Sequence, residues 1–246
     1  MTQRARIVAA LIGVGSLTAP AAQAGVFTQQ TFTADAGTGV SAAKTYTHAI
    51  DLASDVGEVG DNGATINGVF FAPGAANGTV TPVAGQTTVN AGYTLTQTTS
   101  TFQNQTVGGA GGGGAADLLD DFFYGGTNQV LTLTGLTPNT QYRFAFYVGG
   151  FSQPSPALTI TDSQGGTITT DRGTNAASNA KVIFDTYTTA ASGTGSTSFA
   201  LTFTTGDAGN APHQYGFSNE VVPEPASLGL LACGAFGLLA RRRRTV

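Results

Sequence analysis

Tryptophan is absent from this 246-residue chain, and with it the usual aromatic platform on which a protein stacks a sugar ring. Cysteine occurs once, as Cys233 in the last apolar segment, so the centre of the chain has neither a disulfide nor a thiolate metal site. Histidine occurs only at His48 and His213, too sparsely for a His-rich metal centre. Charge is scarce as well, at 10% of residues, and six of the ten bases sit at the ends, as Arg4, Arg6 and Arg241 to Arg244. Between Gly25 and Pro225 that leaves Lys44, Arg143, Arg172 and Lys181 against all 14 acids. Phosphate binding needs clustered cations, so a nucleic-acid partner is excluded. Glycine is abundant, with 35 residues, and the 41% hydrophobic fraction is that of a folded, loop-rich domain.

The two ends read as addresses. Arg4 and Arg6 precede an apolar run from Ile7 to Leu17, and Ala22-Gln23-Ala24 follows with small residues at the recognition positions, the order of a secretory signal peptide. Residues 1–24 are therefore expected to be removed by signal peptidase after Ala24, making Gly25 the mature start. At the other end Pro223-Glu224-Pro225 is followed by the uncharged segment 226–240 and then by Arg241, Arg242, Arg243 and Arg244. Prolines flanking an acid hold the backbone extended and outside any helix, leaving a strip that a protease can read. The apolar segment is shorter than the roughly 20 residues that span a bilayer comfortably, although the arginine stems add reach. The expectation is a short transmembrane helix at 226–240, with the arginines cytoplasmic and the domain outside the inner membrane.

This three-part tail resembles the PEP-CTERM sorting domain of Gram-negative bacterial surface proteins. The resemblance implies that residues 221–246 are a sorting signal, recognised by a membrane-embedded exosortase through Pro223, Glu224 and Pro225. It also implies a transient stay in the inner membrane and a host that makes an extracellular polysaccharide matrix. It implies nothing about the chemistry of the middle.

Between the addresses the chain reads as strands. Tyr142, Phe144, Phe146 and Val148 alternate with Arg143, Ala145 and Tyr147, and Phe199, Leu201 and Phe203 alternate with Ala200, Thr202 and Thr204, a period of two with one face buried. Further strands are predicted over 26–33, 44–50, 64–71, 87–95, 129–134, 157–161 and 181–188, rich in Thr, Val, Phe and Tyr. One helix is predicted, over 115–123, with Asp117, Asp120 and Asp121 near its start. Leu133 to Tyr142, LTGLTPNTQY, resembles the strand-turn-strand corner of fibronectin type III domains, which implies that the Tyr142 hydroxyl bonds back to upstream backbone and that Leu136 plugs the core. Similar corners occur in larger jelly-roll sandwiches, including carbohydrate-binding modules. The further strands after Tyr142 favour an all-β, jelly-roll-like β-sandwich over 25–220, flanked by the signal peptide and the short transmembrane helix. Two modules broken at the glycine run 108–114 are the alternative.

Catalytic constellations are mostly missing. The glycine run lacks a Gly-Lys-Ser/Thr ending, no Gly-x-Ser-x-Gly elbow occurs, and Glu58 and Glu220 are the only glutamates besides Glu224. Aspartate pairs would have to serve a secreted hydrolase, the least favoured reading. Asp51, Asp55, Glu58 and Asp61 crowd a loop, and their hard oxygen ligands suit Ca²⁺, against the plainer reading of solvated acids with no cofactor. For sugar binding Tyr124, Tyr147, Tyr187 and Tyr215 are the remaining platforms, against the plainer reading of core packing. The chain thus reads as an exported, non-enzymatic surface or matrix protein associated with exopolysaccharide, with a Ca²⁺-stabilised carbohydrate-binding module as the alternative.

Overall fold

The computed structural model describes residues 24–52, 63–74, 77–78, 92–97, 101–104, 113–149, 157–171, 180–190, 197–206 and 211–223. Within them the strands run in chain order as β1 (Val26–Phe32), β2 (Thr45–Leu52), β3 (Thr65–Ile66), β4 (Val69–Phe70), β5 (Ala72–Gly74), β6 (Asn77–Gly78), β7 (Tyr93–Gln97) and β8 (Thr101–Asn104). A single helical turn, α1 (Gly114–Asp117), precedes β9 (Asp121–Tyr124), β10 (Asn128–Leu136), β11 (Gln141–Val148), β12 (Ala157–Asp162) and β13 (Thr167–Asp171). The last strands are β14 (Ala180–Thr188), β15 (Thr197–Thr205), β16 (His213–Gln214) and β17 (Gly216–Val221).

Two six-stranded sheets result, one ordered β1-β14-β11-β17-β2-β5 and the other β13-β12-β15-β10-β7-β6. Pairing is antiparallel throughout the first sheet except for the parallel contact of β2 with β5. Each sheet draws strands from both sides of the glycine run. The two sheets face each other across a core in which Phe144, Phe146, Ile183 and Phe217 of the first meet Leu131, Ile160, Leu201 and Phe203 of the second. This is an all-β, jelly-roll-like sandwich.

The first sheet is buried on its other face too. Along β11 the period of two sends Tyr142, Phe144, Phe146 and Val148 into the inter-sheet core, while Ala145 and Tyr147 join a second cluster with Phe32, Phe71, Leu118 and Phe122. The expectation of one buried face therefore holds for the second sheet and fails for the centre of the first. Arg143 is the polar exception, and its guanidinium lies 3.7 Å over the Phe184 ring. With no tryptophan, Phe and Tyr supply the large buried side chains, each contributing on the order of 1.5–3 kcal/mol by leaving water.

Two expectations are corrected here. Only one turn of the predicted 115–123 helix forms, because Phe122 turns to the outer cluster and Phe123 to the inter-sheet core, the alternation of a strand. The predicted 64–71 strand folds instead as the hairpin β3-β4, with Asn67 and Gly68 taking left-handed φ of 48° and 79° at its turn.

Candidate functional site

The C-terminal strand β17 lies in the middle of the first sheet, hydrogen-bonded to β11 on one side and β2 on the other. Val221 pairs with both Tyr142 and Thr45, and the Val222 N–H still donates to the Gln141 carbonyl at 2.9 Å. Lys44 Nζ closes the same end by donating to Glu220 Oε2 at 2.8 Å and to the Gly39 carbonyl at 2.8 Å. One residue later Pro223 is exposed. The chain thus passes from a doubly paired strand to solvent within two residues.

The outward face of the second sheet is a field of threonines. In one row Thr167, Thr161, Thr202, Val130 and Thr96 lie side by side on five neighbouring strands, and in the next Thr169, Thr159, Thr204 and Asn128 do the same. Thr94 and Thr132 add a pair beyond Val130. Cross-strand hydroxyls bond at 3.1 Å between Thr159 and Thr169 and at 3.2 Å between Thr161 and Thr167. These rows contain no charged residue. Strand spacing and pleat place the hydroxyls about 4.8 Å apart across strands and about 7 Å apart along them.

At the N-terminal edge two acids from opposite sheets meet. Asp162, on β12, accepts from the Gln164 N–H at 2.6 Å, the Gly166 N–H at 2.9 Å and the Gly25 N–H at 3.0 Å. Asp185, on β14, is 0% exposed, and neither of its oxygens receives a donor when ionised. Burial first, and then the charge of Asp162, pushes the Asp185 carboxyl up to about 8, and in the neutral form it hands its proton to Asp162 as a hydrogen bond. Two carboxyls that share a proton have no room between them for a sugar, so the pair is not the spaced dyad of a glycoside hydrolase.

Comparison with known proteins adds one assignment. Residues 221–244 match the PEP-CTERM protein-sorting motif. The motif thus starts on the last residue of β17 and includes Pro223, Glu224 and Pro225. None of the curated proteins matches the chain. Among solved structures, a family 35 carbohydrate binding module from Clostridium thermocellum aligns at 18% identity and TM-score 0.33, over 52% of this chain and 91% of that one. CBM35 from Cellvibrio japonicus Abf62 aligns at 13% identity and TM-score 0.33, over 52% and 91%. An exo-β-1,3-galactanase from Phanerochaete chrysosporium aligns at 13% identity and TM-score 0.32 over 53% of this chain, and the match spans only 27% of the galactanase. Superpositions this loose carry no residue-by-residue correspondence.

Apart from the sorting motif, the sequence-predicted residues fare unevenly. Asp51 belongs to β2 and not to a loop: it is 1% exposed, paired in register with Gly216 and Pro73. Asp55, Glu58 and Asp61, the other expected Ca²⁺ ligands, lie outside the described residues, as do Glu224, Pro225, the segment 226–240 and Arg241 to Arg244. Among the described residues no helix is long and apolar enough to cross a membrane. Tyr147, Tyr187 and Tyr215 are buried, which settles them as core packing, whereas Tyr124 is half-buried at the edge of a ring cluster with Phe122 and His213. Ala24 is exposed and immediately precedes the acid pair. Sequence reasoning missed both that pair and the threonine rows. Strand pairing alone reveals the rows, whereas the acid pair joins residues far apart in the chain and has no local signal.

Proposed function

We propose that this chain is an exported surface or extracellular-matrix protein, cleaved by signal peptidase after Ala24, processed by an exosortase at its sorting motif, and structural rather than enzymatic. One observation carries the reading: the sorting motif begins where β17 ends, and Pro223 is exposed immediately beyond the last sheet hydrogen bond. Among the described residues the core clusters reach no further along the chain than Val221. We assign the threonine face to contact with the matrix polysaccharide. A hydroxyl-lined plane whose charge is confined to Asp171 at one edge, itself paired with Lys181, exchanges hydrogen bonds with sugar hydroxyls without desolvating a charge in its threonine rows, which suits a neutral glycan better than an anionic one.

Intact-mass analysis of surface material from an exosortase-bearing host tests the processing. The expected mature chain starts at Gly25 and has lost Arg241 to Arg244. Surface material that retains the arginines in such a host would overturn the sorting reading. Deleting the exosortase should leave the tail attached and the protein with the cell membrane, and surface display that is unaffected by the deletion counts equally against it.

A further inference from the structure

Gly25 sits where Asp162 and Asp185 converge. Its N–H already donates to Asp162 Oδ2 at 3.0 Å, and a Cβ at this position would collide with both Asp162 Oδ2 and Asp185 Oδ1. Gly166 closes a third side, since a Cβ there would lie 2.6 Å from the Gly25 carbonyl oxygen. The two carboxyls therefore enclose the α-carbon of residue 25 so closely that a side chain there would have to push them aside. Among the described residues no cation faces the pair, and Arg172 lies outside them. Lys181 pairs with Asp171, Lys44 pairs with Glu220, and Arg143 lies over Phe184, whose ring belongs to the outer cluster while Asp185 turns the other way. Among the described residues the Tyr187 hydroxyl is a further ionisable group beside Asp185, and it donates to Asn219 Oδ1 at 3.1 Å. A buried carboxylate with no donor, facing a second carboxylate, is strongly unfavourable unless it is neutralised or paired.

We propose that Asp162 and Asp185 are the acceptor for the α-ammonium that signal-peptide removal creates at Gly25, so that export processing completes this edge of the sandwich. The inference rests on cleavage after Ala24 and deepens that reading. In the cleavage, water adds across the Ala24–Gly25 bond: the carboxyl stays on Ala24, and the freed Gly25 nitrogen takes up a proton to become an ammonium. One neutral N–H donor is replaced by a cation with three, enough to keep the bond to Asp162 and supply Asp185 with the donors it lacks. Before cleavage Asp185 must remain protonated; afterwards it ionises against the new charge.

The test uses the full chain exported in its host and extracted in detergent, and it reads two independent quantities. The mature mass reports where the chain begins. The acylation rate of the α-amine, resolved from those of Lys44 and Lys181, reports whether that amine is held. The Gly25 amine of the folded protein is expected to react at least tenfold more slowly than that of the Asp162→Asn, Asp185→Asn double variant. Should the variant not fold, the wild-type melting temperature against pH serves instead, compared with protein acetylated at Gly25 in denaturant and refolded.

In the acetylated chain Asp185 holds a proton up to about 8, whereas the unfolded chain releases it near 3.8, so the melting temperature falls as pH rises between those values. With the free ammonium it stays level over that range and falls only as the ammonium itself deprotonates. A chain that begins elsewhere overturns the cleavage reading together with the proposal. A Gly25 start with an unprotected amine, or with identical pH profiles, overturns the proposal alone. A calcium-induced rise in melting temperature of equal size in both forms assigns the pair to a metal ion and overturns it as well.

Discussion

Tyr142 shows how one side chain secures a corner. Its hydroxyl accepts from the Thr137 N–H at 2.9 Å, its ring stacks on Tyr187 at 5.6 Å, and Leu136 is buried in the same core cluster. Tyr46 repeats the device by accepting from the Ser41 N–H at 3.0 Å, again five residues upstream. Only the first corner was legible, because the Leu-Thr-Pro-Asn-Thr-Gln-Tyr run carries turn residues at the right offsets while Ser41 to Tyr46 carries neither proline nor asparagine. Replacing Tyr142 by Phe keeps the ring and leaves the Thr137 N–H without its acceptor. The expected loss is about 1–2 kcal/mol, read as a lower denaturation midpoint at unchanged slope. An unchanged midpoint would show that this bond contributes nothing to the corner.

At the scale of elements, β17 carries the lesson about what a pattern can and cannot reveal. The long strands β11 and β15 are legible from alternation, and β10 and β14 from their content of strand-forming residues, all to within two residues at each end. β17 is not, although it is central, because Gly-Phe-Ser-Asn-Glu-Val shows one large apolar residue before the sorting motif begins. Its interior is polar and satisfied: Asn219 Nδ2 donates to Thr47 Oγ1 at 2.8 Å, Tyr187 donates to Asn219 Oδ1, and the Ser218 hydroxyl lies 3.3 Å from that of Tyr147. A buried polar residue with its partners in place is indistinguishable in sequence from a loop residue, since those partners lie on other strands. Asn219→Ala would leave the buried Tyr187 hydroxyl without its acceptor, remove the amide that donates to Thr47 Oγ1 and open a small cavity. We expect it to cost about 3 kcal/mol, more than Tyr142→Phe, in the same denaturation experiment. A smaller loss than that of the corner variant would show that water substitutes for the amide. The acid pair escaped sequence reading for a related reason, since 23 residues and a change of sheet separate Asp162 from Asp185.

Across the whole molecule, one sheet is insulated and the other is open. The first sheet has the centre of its outer face covered by the second aromatic cluster, while the second sheet turns its threonines to solvent. That asymmetry leaves the threonine face as the surface of the proposed glycan contact, and its hydroxyls hydrate a chain with so few charges. Placing lysines at Thr161 and Thr202, adjacent in register, should leave the melting temperature nearly unchanged because neither side chain enters the core. Co-sedimentation with neutral polysaccharide from the host matrix is then expected to fall several-fold. Equal retention of the variant and the wild type would remove the face from the proposed contact.

The position of β17 also has a mechanical meaning. Any pull delivered through the C-terminus, by drag on the cell surface or by a membrane that still holds the tail, enters the domain along a strand bonded on both sides. Such a load is resisted by the ladders to β11 and β2 together, in shear, and not one bond at a time as when an edge strand is peeled away. A tether at this end would load the sheet where it is hardest to unzip.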